Sequence, residues 1–269
     1  MGDKRVDQIF TQNLIKSSFS LFPGIGPVLE EKIWSYGITS WEEMLQFSPI
    51  PEHPWHKSRL PAPEKLKAAI PEWQRALSSK NISFLSNQLP NQFLWRLYEI
   101  FPEKFCYLDI ETTGIDASSV LTVVSLYIDG KILTFQRGKD LEFLLDSILE
   151  DHILVTYNGK RFDVPFIERE FHQKISNIHL DLMNVLHEMG IKGGLKKSEE
   201  ILGLKRGDEI SGIDGRMAPI LWRDYQQNDN QRSLDLLIAY NREDTVNLEI
   251  ILKEIIKRKN LQFMKDYRS

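Results

Sequence analysis

The sequence predicts an α/β chain in which a mixed sheet flanked by helices follows a small all-helical module. Residues 105 to 157 hold apolar runs of strand length separated by turn residues, and beyond them the pattern is helical to the end. Residues 11 to 48 show helix starts and stops with no strand signal.

In that first stretch Pro27 suits an initial helical position, Leu29, Ile33 and Tyr36 share one face, and Gly37 follows where a glycine terminates a helix. The expected helix runs from about 27 to 36. Ser40-Trp41-Glu42-Glu43 is a capping box that opens a second helix through Phe47. The segment resembles the helix-hairpin-helix family, which implies that backbone amides at Gly24 and Gly26 bind a nucleic-acid phosphate. Glu30 and Glu31 stand where a DNA-binding version carries more Lys or Arg, so a purely structural or protein-docking hairpin stays open beside phosphate binding.

Six of the twelve prolines fall between residues 49 and 71. That density argues against a long helix and for an extended connector with a short helix after Pro63. His53 and His56 lack a third ligand nearby and read as exposed loop residues. Ser83 to Ile100 contains an amphipathic helix assigned to packing. The expected organisation is therefore a helical module over 1–50, a proline-rich connector with short helices over 51–104, and an α/β domain over 105–269.

The α/β domain opens with the strand Phe105-Cys106-Tyr107-Leu108-Asp109-Ile110-Glu111-Thr112. Val120 to Ile128 and Lys131 to Phe135 follow as strands joined by Asp129-Gly130, a type I′ hairpin signal. Leu141 to Leu149 has helical period, and Ile153 to Tyr157 reads as a fourth strand reached by a crossover.

Alternation along the first strand turns Asp109 and Glu111 to one face and Cys106, Leu108 and Ile110 to the other. Two carboxylates at contact distance repel by about 4 kcal/mol at an effective dielectric near 20, a cost that a cation between them offsets. Asp163 stands at a strand-to-helix corner, with Pro165, Phe166 and Ile167 behind it, where either a ligand or a plain N-cap fits. In the long helix over 230–258 the apolar stripe runs through Leu237, Tyr240, Asp244, Leu248, Ile251 and Ile255, so a carboxylate lies on the buried face. Neutral Tyr240 cannot cancel that charge; a divalent cation can. Glu168, Glu170 and Glu243 read as solvated. Gathered together, Asp109, Glu111, Asp163 and Asp244 match two Mg²⁺ or Mn²⁺ ions in charge and in their preference for oxygen ligands.

Asp-Ile-Glu-Thr-Thr-Gly, then Tyr-Asn-x-x-x-Phe-Asp, then Tyr-x-x-x-Asp resemble the three exonuclease motifs of the DEDD superfamily, in its tyrosine-bearing branch on a ribonuclease H-like fold. Residues 105–256 are similar to the YprB-like prokaryotic exonuclease family. The resemblance implies that Asp109, Glu111, Asp163 and Asp244 hold two metal ions, that Tyr240 positions the attacking water, and that mononucleotides leave from a 3′ end. It also implies contacts from Thr112, Asn158 and Phe162 to the terminal nucleotide, with Phe162 equally at home in the core. Asp181 sits where an accessory acid often stands in the family, but an N-cap is the simpler reading. Lys160 and Arg161, with Lys192, Lys196, Lys197, Lys205 and Arg206 around Gly193-Gly194, offer a track for a phosphate backbone.

The net charge of -4 removes any bulk attraction to nucleic acid, so contact must come from such local patches. The expected partner is nucleic acid, DNA before RNA, and no membrane. A single cysteine, Cys106, excludes an internal disulfide and points to a reducing compartment. No apolar run approaches the roughly 18 residues of a membrane span and the N-terminus lacks a signal-peptide core, so a cytoplasmic location is expected. Two other functions compete with the exonuclease: a catalytically silent binding or scaffold protein on the same fold, and a metal-dependent endonuclease.

Overall fold

A computed structural model describes residues 15–207 and 215–268, with side chains in the last helix as far as 261. Residues 11 to 14 of the hairpin-like segment lie outside the described residues. The chain divides into two compact units, with boundaries at Phe101/Pro102 and at Ile255/Ile256. Up to Phe101 the residues of the expected connector fall in the same unit as the N-terminal helices.

In the first unit α1 (Pro27–Ser35) and α2 (Trp41–Gln46) form as the sequence predicts, and α2 begins with a complete capping box between Ser40 and Glu43. Next come α3 (Pro63–Ser78) and α4 (Ile82–Gln88), then a 3-10 stretch over Asn91–Leu97 in place of a continued amphipathic helix. The prolines do not keep α3 short: it has 16 residues with Pro71 inside. Pro71 is exposed, whereas Leu66, Ile70, Trp73 and Ala76 form the buried face. An interior proline costs about 3 kcal/mol; burial of three large apolar side chains returns about 1.5–3 kcal/mol each, so packing wins. Phe22, Trp41 and Trp73 meet edge to face, with ring centroids 5.7 to 6.1 Å apart.

Of the two acids after the glycines, Glu31 is exposed but Glu30 is not. It is buried, accepts hydrogen bonds from the amides of Phe19 and Ser20 at 2.7 and 2.9 Å, and pairs with the buried Arg96 at 3.3 Å. Arg96 also donates to Ser18. Removing one partner strands the other charge in the core, so Glu30→Ala is expected to destabilise the protein by about 3–5 kcal/mol, read as a lower denaturation midpoint with an unchanged slope.

The second unit carries a five-stranded sheet in the order β3-β2-β1-β4-β5: β1 (Phe105–Thr112), β2 (Leu121–Ile128), β3 (Lys131–Gln136), β4 (Ile153–Thr156) and β5 (His179–Asp181). The first three strands are antiparallel, whereas β4 lies parallel to β1 and β5 parallel to β4. This is the mixed sheet flanked by helices that the sequence predicts. Asp129 and Gly130 both take positive φ, 47° and 74°, as a type I′ hairpin requires. The strand β5 lies where only helix was expected. At three residues it is too short for alternation to register, and its pairing with β4 alone defines it.

The helices are α5 (Leu144–Ser147), α6 (Asp163–Phe171), α7 (Leu182–Glu188), α8 (Leu195–Leu202), α9 (Ala218–Asn228) and α10 (Gln231–Arg268). One sheet face, with Cys106, Leu108, Ile110, Val124 and Leu126, packs on Leu144 of α5 and on Phe166 and Ile167 of α6. Cys106 is fully buried, and burial pushes its thiol up to about 12. Val123, on the opposite face, packs with Ala218, Leu221 and Trp222 of α9 and Leu237 and Tyr240 of α10. No helix among the described residues is long and apolar enough to cross a membrane.

Candidate metal centre

Asp109 pairs with Ser125 and Glu111 with Val123 across the β1–β2 ladder, which places both carboxylates on the face that α9 and α10 cover. The register slips between Glu111 and Thr112, so pairing ends beside the acids. On α10, Tyr240 and Asp244 stand one turn apart on the inward side and are both buried. One carboxylate oxygen each from Asp109, Glu111 and Asp244 lies within 4.8 Å of the others. Asp163, the first residue of α6, lines the same cavity at the C-terminal end of the parallel β1–β4 pair. It does not stand at the N-cap position: Phe162 does, and makes no side-chain cap bond.

The cavity has a volume of about 270 Å³, and its walls also include Thr112, Asn158, Phe162 and Leu195. Phe162 serves the core as well, its ring 4.8 Å from that of Phe166.

Burial and crowding favour the neutral form of these acids. Burial first, then Asp244, Glu111 and Asp163, pushes Asp109 well above the usual carboxylate range. Glu111 rises in the same way through burial and then Asp244 and Asp163. Burial raises Asp163 to about 7, aided by Asp181, and raises Asp244 to about 7 against the opposing charge of Arg206. Tyr240 is raised too, by burial and by the three neighbouring carboxylates. Its hydroxyl hydrogen-bonds Asp244. Buried oxygen donors crowded in this way suit hard divalent ions in charge and in chemistry.

Further residues hold this centre, and Asn241 among them carries no signal in the sequence. Asn241 Nδ2 donates to Asp109 Oδ2 at 2.8 Å. Asp181 does cap α7, accepting from the amide of Met183 at 3.1 Å, but it also accepts from the amides of Asn158 at 2.8 Å and Lys160 at 3.3 Å. It thereby pins the loop between β4 and α6. That loop turns on Asn158 at φ 63° and on Gly159, where a Cβ would stand 2.2 Å from Thr156 Oγ1. Tyr157 donates to the carbonyl of Gly193 at 2.7 Å and lies 2.9 Å from Ser198 Oγ, fastening the start of α8 to the same loop.

Among the basic residues, Arg161, Lys192, Lys196, Lys197 and Lys205 are exposed and Lys160 is half-buried. Lys197 pairs with Glu200 at 3.0 Å. Arg206 does not stand with the exposed basic residues. Its side chain is only 7% exposed, lying 2.7 Å from Glu199 and 2.8 Å from Asp244 with the guanidinium over the Tyr240 ring. Glu243 is not fully solvated either, accepting from the amide of Gly207 at 2.8 Å.

The family model of the RNase H superfamily matches residues 106–256, from β1 into α10. The chain belongs to the RNase H superfamily. No curated protein sequence matches it. Among solved structures it is similar to the family B DNA polymerase from the hyperthermophilic archaeon Pyrobaculum calidifontis, with 18% identity, a TM-score of 0.43, and coverage of 59% of this chain and 24% of that one. It is also similar to Brucella melitensis NrnC bound to pGG, with 17% identity, a TM-score of 0.31, and coverage of 61% and 87%. The chain thus spans about a quarter of the polymerase chain it matches. Within the superfamily fold the four acids stand on β1, α6 and α10, with the second unit supplying all of them.

Proposed function

We propose that this RNase H superfamily chain is a metal-dependent 3′-to-5′ exonuclease of the tyrosine-bearing DEDD type, similar to the YprB-like family, acting on nucleic acid and on DNA before RNA. The observation that carries the reading is the meeting of Asp109, Glu111 and Asp244 within 4.8 Å, with Asp163 in the same cavity. Each pair of ionised carboxylates about 4 Å apart repels by roughly 4 kcal/mol at an effective dielectric of 20, so the fully ionised site asks for divalent charge. Asp109, Glu111, Asp163 and Asp244 hold two Mg²⁺ or Mn²⁺ ions. When bound, such ions supply a hydroxide-like nucleophile near neutral pH and stabilise a leaving 3′-oxygen.

The remaining residues bind and orient. Tyr240, tied through its hydroxyl to Asp244 at the cavity wall, positions the attacking water. Thr112, Asn158 and Phe162 line the cavity and contact the terminal nucleotide. Lys160, Arg161, Lys196 and Lys197 take the phosphates that follow it, with α8 held to the site loop through Tyr157. In the first unit, the turn over Gly24, at φ 84°, and Gly26, which precedes α1 without a side-chain cap, serves as a helix-hairpin-helix grip on backbone phosphate.

The test is cleavage of 5′-labelled single-stranded and duplex DNA and RNA with Mn²⁺, with Mg²⁺ and with EDTA. A metal-dependent ladder receding from the 3′ end is expected. Internal cuts on a circular substrate point to an endonuclease, and binding without cleavage to a silent binding protein. Tyr240→Phe is expected to lower kcat by about tenfold or more while KM changes little, because the metal ligands stay in place. An effect confined to KM contradicts a role in positioning water.

A further inference from the structure

Arg206 is a cation that touches the acidic centre, 2.8 Å from Asp244, and it does so from outside the cavity. It is not among the residues lining the cavity, whereas Asp244 is. Its Nε donates to Glu199 Oε2 at 2.7 Å, and Nη2 lies 2.7 Å from the same oxygen and 2.8 Å from Asp244 Oδ1. Glu199, 1% exposed on α8, accepts a further hydrogen bond from Asn247 Nδ2 of α10 at 2.8 Å. Glu199, itself held by Asn247, thus anchors the guanidinium, and the Tyr240 ring covers it at 5.4 Å.

We infer that Arg206 is a positioning residue for the metal site: anchored by Glu199, which Asn247 holds in turn, it fixes one oxygen of Asp244 so that the carboxylate faces Asp109 and Glu111. The opposite effect, a positive charge that repels metal, is offset because Glu199 brings one negative charge to the same buried spot. Beside Asp244 the Arg206–Glu199 pair is close to neutral, and what it contributes is orientation. A carboxylate on a helix keeps free rotation about its terminal bond unless something holds it. Here Tyr240 and Arg206 hold it together.

The inference rests on the metal-binding reading of the same site, and the experiment separates the two. Mn²⁺ binding to the full chain is measured by calorimetry and by metal-dependent thermal stabilisation, for wild type, Arg206→Met, Arg206→Lys and the double variant Arg206→Met/Glu199→Gln. Arg206→Met is expected to weaken Mn²⁺ binding by about 10- to 100-fold, with KM for a labelled oligonucleotide unchanged at saturating metal and kcat recovered by excess Mn²⁺. Arg206→Lys restores part of the affinity. The double variant removes both buried charges, so it folds where the single one leaves Glu199 stranded, and it shows the same loss. Unchanged Mn²⁺ affinity in folded variants overturns the inference while leaving the metal site standing, as does a raised KM at unchanged metal affinity, which makes Arg206 a substrate contact. If wild type binds no Mn²⁺, the metal reading falls first and the inference with it.

Discussion

Asp109→Ala is expected to abolish metal-dependent cleavage, by more than about a thousandfold, or roughly 4 kcal/mol of transition-state stabilisation. The same loss is expected for Asp244→Ala. Asp109 sits at the middle of the acidic group, with Asn241 holding one oxygen and Glu111 and Asp244 within ligand distance. Its removal leaves too few fixed oxygens to hold a hard cation in place. The informative companion is Asp109→Asn, which keeps the shape and the contact to Asn241 while deleting one charge from a repelling cluster. In EDTA that variant is expected to melt higher than wild type, by about 2–4 °C for each kcal/mol of repulsion relieved in a domain of this size, while its activity is lost. Full activity in both alanine variants would sink the site assignment. A lowered melting temperature for Asp109→Asn in EDTA contradicts the account of stored repulsion.

Metal-free protein is expected to lose stability as the pH rises from about 4 to about 7, and divalent metal to restore it above that range. Asp163 and Asp244 are raised from 3.8 to about 7 by burial in the folded state. Between these limits the folded chain holds more protons than the unfolded one, so the free energy of unfolding falls with pH, by up to about 1.4 kcal/mol per pH unit for each group. The proton-linked stability is fully present below about pH 4 and gone once the pH passes 7. Mn²⁺ replaces protons, so its stabilising effect is small at pH 5 and large at pH 8. Thermal melts across pH, with and without Mn²⁺, test this directly. Equal metal stabilisation at pH 5 and pH 8 contradicts the shared use of these carboxylates by protons and metal.

The acids that make the centre are readable in the sequence because regular periods govern them. Two residues apart on a strand means one face, which pairs Asp109 with Glu111, and steps of three and four along α10 put Asp244 beside Tyr240 on the buried stripe. Asp163 is legible only as a corner residue, because N-caps and ligands use the same side chain at the same place. The supports are illegible for a different reason. Asn241 meets Asp109 across 132 positions and Asn247 meets Glu199 across 48, and no local period encodes such pairs. Arg206 misleads outright, since an arginine beside Lys205 and Gly207 reads as surface until Glu199 is known to face it. The proline count misleads over α3 for the opposite reason: a local penalty of one interior proline is outweighed by an apolar face whose partners lie elsewhere in the chain.

The fit of Gly159 against Thr156 also sets an order on sequence change. A Cβ at 159 would lie 2.5 Å from the Cβ of residue 156 as well as 2.2 Å from the threonine hydroxyl. Trimming Thr156 to alanine or serine therefore opens no room, and only a glycine at 156 does. That glycine would remove both the hydroxyl that the Gly159 amide donates to and the contact to His179. A lineage drifting away from glycine at 159 must first cross a sequence in which the last residue of β4 and the turn three residues on are both glycine and the half-buried imidazole of His179 has lost the threonine hydroxyl. Position 159 is thus frozen by the history it would require, even though it touches no reacting atom.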